Sequence, residues 1–431
     1  MLKGNPVYIV DGGRSPFLKA VGKPGPFSAV DLAVAAGRPL LARQPFEPAQ
    51  FDQVVLGCVA PGPDEANIGR IAALRLGCGK RVPAWTVQRN CASGMQALDS
   101  AAVDIAMGRS HLVLAGGTES MSHSPVLLNE TMVSWLGDWA AARSFGAKLK
   151  TLGQLRPGHL KPVIGLLRGL RDPVVGLSMG QTAENLAYRF NIGREEMDIY
   201  ATRSHQRLAA AQDQGKLTEI ETIYDATGKA YAEDTGLRRD SSVEKLAKLR
   251  PVFDRGIGKV TAGNSAQITD GCSWLILASK QAVKKYKLPV MGQILDSEWA
   301  GLDPSQMGLG PVHACTPILQ RHQLGLKDID YWEINEAFAV QVQACLAAWR
   351  DKAYCKTELG LSDILGSVDE ETLNVDGGGV SIGHPVGASG ARIVLHLLHV
   401  LRENEKQKGL ASLCIGGGQG GAMLVEQRDV A

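Results

Sequence analysis

Short apolar segments alternate with longer amphipathic segments along this chain. The short segments are bounded by Gly, Asp or Pro, which is typical of buried strands. The longer segments repeat apolar residues at helical spacing, and we predict helices over 31–43, 66–76, 92–107 and 388–401. The predicted strands have the sequences PVYIVDGG, FDQVVLGCV, AWTVQRNC, SHLVLAGGTESM, PVMGQILDSEWA, IDYWEINEAF, LNVDGGG and LASLCIGGGQGGAMLVEQ. This alternation predicts an α/β protein whose sheets are buried between layers of helices.

The pattern contains a weak internal repeat. Cys91 precedes a predicted helix and then a strand that ends in a glycine pair, whereas His384 precedes a helix and then a strand that ends in three glycines. We interpret the two segments as copies of one α/β unit with a site between them. The region from 121 to 268 breaks the pattern and is interpreted as an insert, and inserts of this length usually have a function.

Length and composition narrow the class of protein. A chain of 431 residues is too long for one hydrophobic core and predicts two or three domains. The net charge of +2 and the lack of a basic, aromatic-interleaved sheet motif argue against a nucleic-acid-binding protein. The 50 glycines are clustered, which indicates tight turns and close backbone contacts rather than disorder.

The spacing of the cysteines bears on metal binding, and the first residues of the chain bear on the cellular compartment of the protein. None of the eight cysteines forms a CxxC pair, so we expect no structural zinc and no other metal. A chain of this size needs no disulfides, which favours a reducing compartment. The opening MLKGNPVYIVDGG has an apolar run too short for a signal peptide, and no stretch approaches the roughly 20 apolar residues of a membrane span. We therefore predict a cytoplasmic protein.

Cys91 is the first candidate for chemistry. It stands where a buried helix is predicted to begin, and the free N–H groups and dipole of a helix N-terminus favour the nucleophilic thiolate. The alternative is a structural cysteine that only fills space, which is the usual role of a buried cysteine. The small residues Ala92, Ser93 and Gly94 favour the reactive interpretation, because they leave room beside the sulfur for an acyl chain.

Three further residues lie at predicted strand ends or in glycine-rich loops. His384, within GGGVSIGHPVGASGAR, either satisfies a buried carbonyl or takes a proton from Cys91. Asn335 either caps the helix that follows it or presents an amide that orients water or imidazole for an oxyanion. Cys414 is either a core cysteine or a second acid/base beside the first thiol. Its glycine run is superficially similar to a dinucleotide loop, but no βαβ unit follows.

Taken together, these segments resemble the thiolase superfamily, and their order along the chain matches. NCASGMQAL is similar to the nucleophile motif, and NEAFA, GGGVSIGHPVGASGAR and CIGGGQGGAM are similar to the three motifs that follow it. Further matches are VDGGRSPF, LAGGTESMS, MGQTAENLA and VTAGNSAQITDG, so that the resemblance spans the whole chain. The asparagine motif and the second cysteine exclude ketoacyl synthases and sterol-carrier-type thiolases.

The resemblance implies a fold and an assembly. It implies two pseudo-equivalent α/β halves packed as αβαβα layers, with a loop domain inserted in the first half. The N-terminal half is then residues 1–120 plus 269–287, the inserted loop domain is 121–268 and the C-terminal half is 288–431. The resemblance also implies a homodimer or homotetramer.

The resemblance also implies roles for individual residues. Cys91 is the acylated nucleophile, and His384 is the base that activates it. Cys414 exchanges a proton with the α-carbon of the acetyl group, while Asn335 holds a water that stabilises the thioester oxyanion together with His384. The backbone N–H groups of Cys91 and Gly416 form a second oxyanion hole, in which each donor is commonly worth a few kcal/mol.

Coenzyme A contacts are implied for Met179, Ala262 and Ser265, and two departures from the family pattern bear on them. Ser178 stands where many short-chain biosynthetic thiolases have a histidine. Ser265 and Ala266 stand where the family often has the serine second. The residues around the pantetheine are therefore predicted less directly than the catalytic ones.

The activity implied by the resemblance is that of a 3-ketoacyl-CoA thiolase of fatty-acid β-oxidation, an acyltransferase that works through an acyl-cysteine. Acyl-CoA and CoA are then substrates, and no cofactor is expected. The alternative within the same chemistry is a short-chain acetyl-CoA C-acetyltransferase that works in the condensation direction. Alternatives of another class are a non-catalytic scaffold subunit and a CoA-binding module, neither of which needs both cysteines.

The stretch from 139 to 171 is basic and rich in leucine, and it contains no acidic residue. The β subunits of trifunctional fatty-acid oxidation complexes resemble it in having an extended segment here. We expect it to contact an anionic membrane surface or a hydratase/dehydrogenase subunit, and to admit longer acyl chains. The alternative is a solvated basic face over its own apolar core, or a tetramer contact.

Overall fold

The structure is a computed structural model and describes residues 3–428. The strands are β1 (Val7–Arg14), β2 (Leu18–Lys19), β3 (Gln53–Gly57), β4 (Ala84–Val87), β5 (Leu112–Ser120), β6 (Val126–Leu127), β7 (Val163–Ile164), β8 (Ile223–Tyr224), β9 (Ala230–Tyr231), β10 (Thr269–Ser279), β11 (Gly292–Gly301), β12 (Tyr331–Ile334), β13 (Lys408–Ile415) and β14 (Gln419–Glu426). The α-helices are α1 (Ala29–Ala42), α2 (Ile68–Arg75), α3 (Ser93–Ala106), α4 (Glu130–Ala141), α5 (Phe145–Leu152), α6 (Gly165–Gly169), α7 (Met179–Arg189), α8 (Arg194–Asp213), α9 (Val243–Leu246), α10 (Lys280–Tyr286), α11 (Gly310–His322), α12 (Ala339–Arg350), α13 (Lys352–Thr357), α14 (Gly379–Ile382) and α15 (Ser389–Glu403).

The main sheet consists of two halves that share the same order of four strands, and the first half has β4 as an additional edge strand. In the first half, β3 pairs in parallel with β4 and β5, and the order continues antiparallel through β10 to β1. In the second half, β12 pairs in parallel with β13, and the order continues antiparallel through β14 to β11. A short antiparallel pairing of β1 with β11 joins the halves. The internal repeat predicted from the sequence is therefore present in the strand order.

The helices form layers on both faces of the two half-sheets. Helices α1 and α2 share a buried apolar core with one face of the first half. Helices α3 and α15 pack on each other and share the central core with the inner faces of both halves. Helices α11 and α12 share a third core with the outer face of the second half. This arrangement confirms the αβαβα layering.

The central position of α3 and α15 explains their sequences. Met95, Leu98 and Ile105 follow one another at helical spacing on α3 and are completely buried. Helix α15 is buried on nearly every side, and its polar residues Arg392 and His396 are buried in ion pairs with Glu333 and Glu219. The helices predicted over 92–107 and 388–401 are confirmed to within two residues at each end.

The predicted strand LNVDGGG is wrong. Leu373 makes a single bridge with Trp332, and Asn374 then turns into the left-handed region at φ 48°. The side chain of Asn374, and not a further stretch of backbone, pairs with β12: Oδ1 accepts from Ile334 N and Nδ2 donates to Ile334 O, both at 2.9 Å. The long run LASLCIGGGQGGAMLVEQ is two strands, because Gly417 and Gly418 have φ of 92° and 74° and form a hairpin turn.

The described chain separates into two compact units. Residues 124–171 form one unit, which contains α4, α5, α6 and the small hairpin of β6 and β7. The rest of the predicted insert, residues 172–268, belongs to the other unit together with both half-sheets. The division at 121, 269 and 288 stays a prediction, and its outermost residues, 1–2 and 429–431, lie outside the described residues.

Candidate active site

Cys91 lies in a tight turn between β4 and α3. Asn90 has a left-handed backbone at φ 43°, a conformation that asparagine adopts more readily than most residues. Ser93 closes the turn, because its hydroxyl accepts from Arg89 N at 2.9 Å and donates to Asn90 O at 2.7 Å. Ala92 is the N-cap of α3, so that the Cys91 thiol lies just outside the first helical turn.

The environment of Cys91 favours the thiol over the thiolate. The residue is partly exposed, yet the protein encloses the sulfur enough for burial to raise its pKa above the ordinary value. The N–H groups of Gly416 and of Cys91 itself act in the opposite direction. The expectation of a resting thiolate at a helix N-terminus is therefore not met, since desolvation outweighs these donors. Cys91 needs a base before it can attack.

The hairpin of β13 and β14 places a second thiol beside Cys91. Asn90 Nδ2 donates to Gly416 O at 2.8 Å, which ties the hairpin to the Cys91 turn. A Cβ at position 416 would lie 3.2 Å from Sδ of Met179, so glycine allows that side chain to approach. Cys414 is 1% exposed, and burial, together with the neighbouring Cys91, raises its pKa far above the ordinary value. Cys414 is thus a protonated thiol at neutral pH.

His384 lies in the loop between α14 and α15. Its backbone N–H donates to Gln267 O at 3.1 Å, and its ring Nδ1 lies 2.6 Å from Ser389 Oγ. Burial, with a smaller contribution from Arg392, lowers its pKa to about 4. The imidazole is therefore neutral at physiological pH and has a lone pair that can accept a proton.

Asn335 faces His384 and does not cap a helix. The next helix, α12, begins at Ala339 with Phe338 as its N-cap, which rejects the capping interpretation. The Asn335 Nδ2 atom lies 3.5 Å from each ring nitrogen of His384. Its buried Oδ1 has no hydrogen-bond partner among residues 3–428, so an acceptor remains available at this point.

Close packing of glycines brings the His384 loop onto the nucleophile helix. A Cβ on Gly117 would lie 1.9 Å from Gly387 O, and a Cβ on Gly94 would lie 2.8 Å from the same oxygen. Side chains at these positions would force the two segments apart. The structure therefore assembles the loops of Cys91, Cys414, Asn335 and His384 in one region.

The predicted CoA contacts lie in two neighbouring segments. Met179 is the first residue of α7 and lies half-buried against Gly416. Ala262 is exposed, whereas Ser265 is buried and its hydroxyl donates to Thr261 O at 2.6 Å. The Ser265 side chain is therefore engaged within its own turn, and a contact with CoA through it stays a prediction.

Ser178 has a structural explanation. It is the N-cap of α7: Ser178 Oγ accepts from Gln181 N at 3.3 Å, and Gln181 Oε1 accepts from Ser178 N at 2.9 Å. This capping box satisfies two backbone donors at the start of the helix. The cap that Ser178 provides for α7 therefore explains a serine at this position.

The sequence interpretation missed Glu336, the neighbour of Asn335. This carboxylate is 1% exposed and ties the Asn335 loop to α8 and to the loop that leads to His384. The second acid of the segment EINEAF was the available signal, because a buried carboxylate has to be paired or hydrogen-bonded. Its donors are Tyr200 Oη at 3.0 Å, Ser204 Oγ at 2.7 Å, Asn374 Nδ2 at 3.1 Å and Val380 N at 3.1 Å.

Glu119, at the end of β5, was also missed. Its carboxylate accepts from Val59 N at 2.8 Å and from Ala60 N at 3.0 Å, and it lies close enough to Cys91 to raise the pKa of that thiol. Burial raises the pKa of Glu119 itself to about 7. A change in its protonation would therefore alter the charge near the nucleophile.

Residues 3–428 contain no group of three or more His, Cys, Asp or Glu side chains arranged to hold a metal ion. In the same part of the chain, no helix is both long and apolar enough to cross a membrane. All eight cysteines are free.

Comparisons with known proteins match nearly the whole chain. Residues 7–281 match the family model of the thiolase N-terminal domain, and residues 288–427 match that of the thiolase C-terminal domain. The 3-ketoacyl-CoA thiolase of Yersinia pestis (strain Pestoides F) is 36% identical over 427 residues, which cover 98% of this chain and 97% of that protein. The 3-ketoacyl-CoA thiolase of Serratia proteamaculans (strain 568) is 36% identical over 426 residues, with the same coverage.

Solved structures of the same fold are similar over nearly the whole chain. The acetyl-CoA acetyltransferase of Bacillus anthracis has a TM-score of 0.84 and 36% identity, covering 99% of this chain and 100% of that one. Human mitochondrial 3-ketoacyl-CoA thiolase in complex with CoA has a TM-score of 0.84 and 35% identity, covering 98% of each chain. With both family domains matched, relatives aligned from end to end and the four motif loops assembled in one region, this chain belongs to the thiolase family.

Proposed function

We propose that this chain catalyses the CoA-dependent thiolytic cleavage of 3-oxoacyl-CoA to acetyl-CoA and a shortened acyl-CoA. The observation that carries the proposal is that the loops of two thiols, Cys91 and Cys414, and of the buried His384 meet in one region, through the contact of Gly94 with Gly387 and the hydrogen bond from Asn90 to Gly416. The relatives named 3-ketoacyl-CoA thiolase support it. A hydrolase would not need a second thiol beside its nucleophile.

The first half-reaction forms the acyl-enzyme. His384 takes the proton of Cys91, and the thiolate attacks the 3-oxo carbon of the substrate. The bond between the α and β carbons breaks, and the electron pair passes to the α-carbon, which takes the proton of Cys414. Acetyl-CoA leaves, so that the enzyme carries an acyl group on Cys91, a proton on His384 and a thiolate at Cys414.

The second half-reaction restores the enzyme. The thiol of a new CoA gives its proton to Cys414, and the CoA thiolate attacks the acyl carbon. Acyl-CoA leaves, and the released Cys91 thiolate takes the proton back from His384. Sulfur suits both steps, because it is a good nucleophile and a good leaving group near neutral pH.

Two sets of donors stabilise the negative oxygens of these steps. We assign the N–H groups of Cys91 and Gly416 to the oxyanion formed on the acyl carbon. We assign His384, together with a water held by the Asn335 amide, to the thioester oxygen of the departing or incoming acetyl group. Each such donor contributes about 3–4 kcal/mol in related acyl-transfer sites.

The test is CoA-dependent thiolysis of 3-oxoacyl-CoA substrates from roughly four to sixteen carbons by the purified chain. We expect cleavage with all but the shortest substrates, and loss of both cleavage and acyl-enzyme in Cys91→Ala. Acyl label retained on Cys91→Ala would show that another residue is the nucleophile. A wild-type chain without any thiolysis would favour the scaffold subunit.

A second candidate function is a short-chain acetyl-CoA C-acetyltransferase that works in the condensation direction. The observation that favours it is the Bacillus anthracis acetyl-CoA acetyltransferase, which matches at a TM-score of 0.84. Activity confined to acetoacetyl-CoA in the same substrate series would select this alternative.

The role of Cys414 has its own test. Cys414→Ala should still form the acyl-enzyme, because Cys91 and His384 remain, but it should lose the exchange of α-protons between acetyl-CoA and solvent deuterium. Mass spectrometry of acetyl-CoA measures the exchange. Exchange at the wild-type rate would contradict the assignment.

We further propose that residues 139–171 contact an anionic membrane surface. Within the unit 124–171, only Thr151 is buried, and α5 exposes Phe145, Leu149 and Leu152 along one face together with Lys148. Large apolar side chains exposed together on one face of a helix often mark an interaction site. Basic residues beside apolar side chains suit the interface of an anionic lipid layer.

Flotation with vesicles tests the membrane contact. We expect binding to vesicles that contain phosphatidylserine, loss of binding at high salt and loss of binding in Lys148→Glu with Lys150→Glu. Lys284→Glu with Lys285→Glu, in α10, is the matched control and should float like the wild type. Absence of salt-sensitive binding would end the proposal, and co-purification of the 124–171 unit with a hydratase/dehydrogenase chain would replace the membrane by that partner.

For location and assembly, we propose a cytoplasmic homodimer or homotetramer. The eight free cysteines support a reducing compartment. The edge strand β4 exposes Trp85 to 39%, and an unpaired edge is a template for pairing with a second chain. Light scattering after gel filtration measures the mass, and a monomer at micromolar concentration would contradict the proposal.

A further inference from the structure

Ser389 is the immediate partner of the His384 ring. It is the first residue of α15 and is completely buried. Its Oγ lies 2.6 Å from His384 Nδ1 and 3.1 Å from Pro385 O. The hydroxyl therefore has a ring nitrogen on one side and a backbone carbonyl on the other.

These two contacts favour one tautomer of the His384 ring over the other. A serine hydroxyl has one proton, and Pro385 O is an acceptor for it. When Ser389 donates its hydroxyl proton in a hydrogen bond to Pro385 O, Ser389 Oγ accepts a hydrogen bond from Nδ1–H of His384. The Nε2 atom of the ring is then unprotonated. In the other tautomer, Ser389 would donate to Nδ1 and Nε2 would carry a proton, which prevents it from accepting one.

The hydrogen bonds of Asn335 do not favour either tautomer of His384. Its Nδ2 lies at the same distance, 3.5 Å, from both ring nitrogens. The backbone contact of His384 with Gln267 fixes the loop but not the ring. Ser389 is thus the group that distinguishes Nδ1 from Nε2 among the hydrogen bonds of this side chain.

We propose that Ser389 is a positioning residue that holds His384 in the Nδ1–H tautomer, with Nε2 free to take the proton of Cys91. The inference rests on the proposed role of His384 as the base. It deepens that role, since it states which nitrogen acts and what determines it.

The choice of a hydroxyl has a chemical consequence. A carboxylate at this position would stabilise the imidazolium and retain the proton. Ser389 is neutral. The charged residue of α15 that acts on the His384 ring is Arg392, which is paired with Glu333 at 3.0 Å. Its positive charge disfavours protonation of His384. The protonated His384 therefore returns its proton readily when the Cys91 thiolate is released.

The test compares Ser389→Ala with Ser389→Thr. We expect Ser389→Ala to lower kcat for thiolysis at least about tenfold with little change in KM, because general base catalysis is worth about 10²–10⁴-fold. Ser389→Thr keeps the hydroxyl and should recover most of the lost kcat. Ser273→Ala is the matched control, since Ser273 is also completely buried and its hydroxyl has no partner among the described residues.

The tautomer is measured directly by ¹⁵N NMR of histidine-labelled protein, with His384→Gln used to assign the signal. Wild type should show a protonated Nδ1 and an unprotonated Nε2, and Ser389→Ala should show a mixture. A wild-type signal with protonated Nε2, or unchanged kcat in a folded Ser389→Ala variant, would overturn the proposal. Loss of thiolysis in the wild type would instead remove the proposed function, while the NMR result would still decide the role of Ser389.

Discussion

At the scale of single residues, the site keeps its nucleophile and its base uncharged until substrate binds. Burial raises the pKa of Cys91 and lowers that of His384 to about 4, so that a thiolate–imidazolium pair is disfavoured at neutral pH. The N–H groups of Cys91 and Gly416 partly offset this cost and point to where negative charge develops. The proton transfer is therefore coupled to the attack.

This protonation state predicts the pH dependence of alkylation. The rate of Cys91 modification by iodoacetamide should be low at pH 7 and should rise up to and beyond pH 9, because only the thiolate reacts and its pKa is raised. Mass spectrometry of the Cys91 peptide between pH 6 and pH 10 measures the rate. A rate that is already maximal below pH 7 would show a resting thiolate. The Cys78 peptide is the internal control, since burial raises its pKa to about 11.

At the scale of elements, glycines determine how closely the catalytic loops meet. Gly117 on β5 and Gly94 on α3 both face Gly387 O in the loop that leads from His384 to α15. Backbone contacts of this kind cannot shift as a flexible side chain does. Because Gly117 and Gly94 have no side chain, the nucleophile helix and the His384 loop can approach each other this closely.

We predict that Gly117→Ala lowers both stability and activity. The new Cβ would lie 1.9 Å from Gly387 O, so the His384 loop has to move, at a cost of roughly 1–3 kcal/mol or more. Thermal unfolding and thiolysis measure the two effects. Gly137→Ala on α4 is the control, because nothing lies within 4 Å of its Cβ and a helical alanine is favoured over glycine. Equal behaviour of the two variants would contradict the packing argument.

At the scale of the whole molecule, a buried ionic network joins distant parts of the chain. Arg14 of β1 forms two hydrogen bonds with Asp234, at 2.7 and 2.8 Å, and one with Glu219 at 3.2 Å. His396 of α15 contacts Glu219 at 3.1 Å and Asp376 at 3.4 Å. The network ties the central helix α15 to the first strand and to the region 172–268.

His396 should make stability depend on alkaline pH. Burial alone would lower its pKa, but Glu219 and Asp376 outweigh it and raise the pKa to about 10. A raised pKa stabilises the fold fully below the unfolded value of about 6.5, and this contribution is lost as pH rises through about 10. Denaturant unfolding of wild type and His396→Gln should therefore differ most below pH 6.5 and converge toward pH 10.

His123→Gln is the control for this titration. His123 lies in an exposed turn, where its ring contacts only Gly25 O at 2.9 Å among the hydrogen bonds of the structure. Its variant should not reproduce the loss of stability that we expect for His396→Gln below pH 6.5. A difference between wild type and His396→Gln that does not change with pH would show that His396 stabilises the fold only by packing.

Local patterns in the sequence were enough for the elements and the reactive residue types. Apolar spacing predicted the α/β layers and the buried helices at Cys91 and His384, because strand and helix periods depend on neighbours only a few residues away. The segment LNVDGGG, which was predicted as a strand, shows where this kind of prediction fails. The side chain of Asn374 forms the hydrogen bonds to β12 that a strand backbone would form, and the spacing of apolar residues does not reveal this.

The sequence by itself determined the fold class, through the alternation of apolar and amphipathic segments. It also determined the family and the candidate catalytic side chains, through motifs that resemble those of thiolases in the same order. Only the tertiary structure decided their protonation states, the partner that orients the His384 ring, and the buried carboxylates Glu336 and Glu119 that hold the loops. The reason is physical. A pKa or a hydrogen-bond partner depends on which distant segments exclude water from a group, and that is settled only when those segments pack.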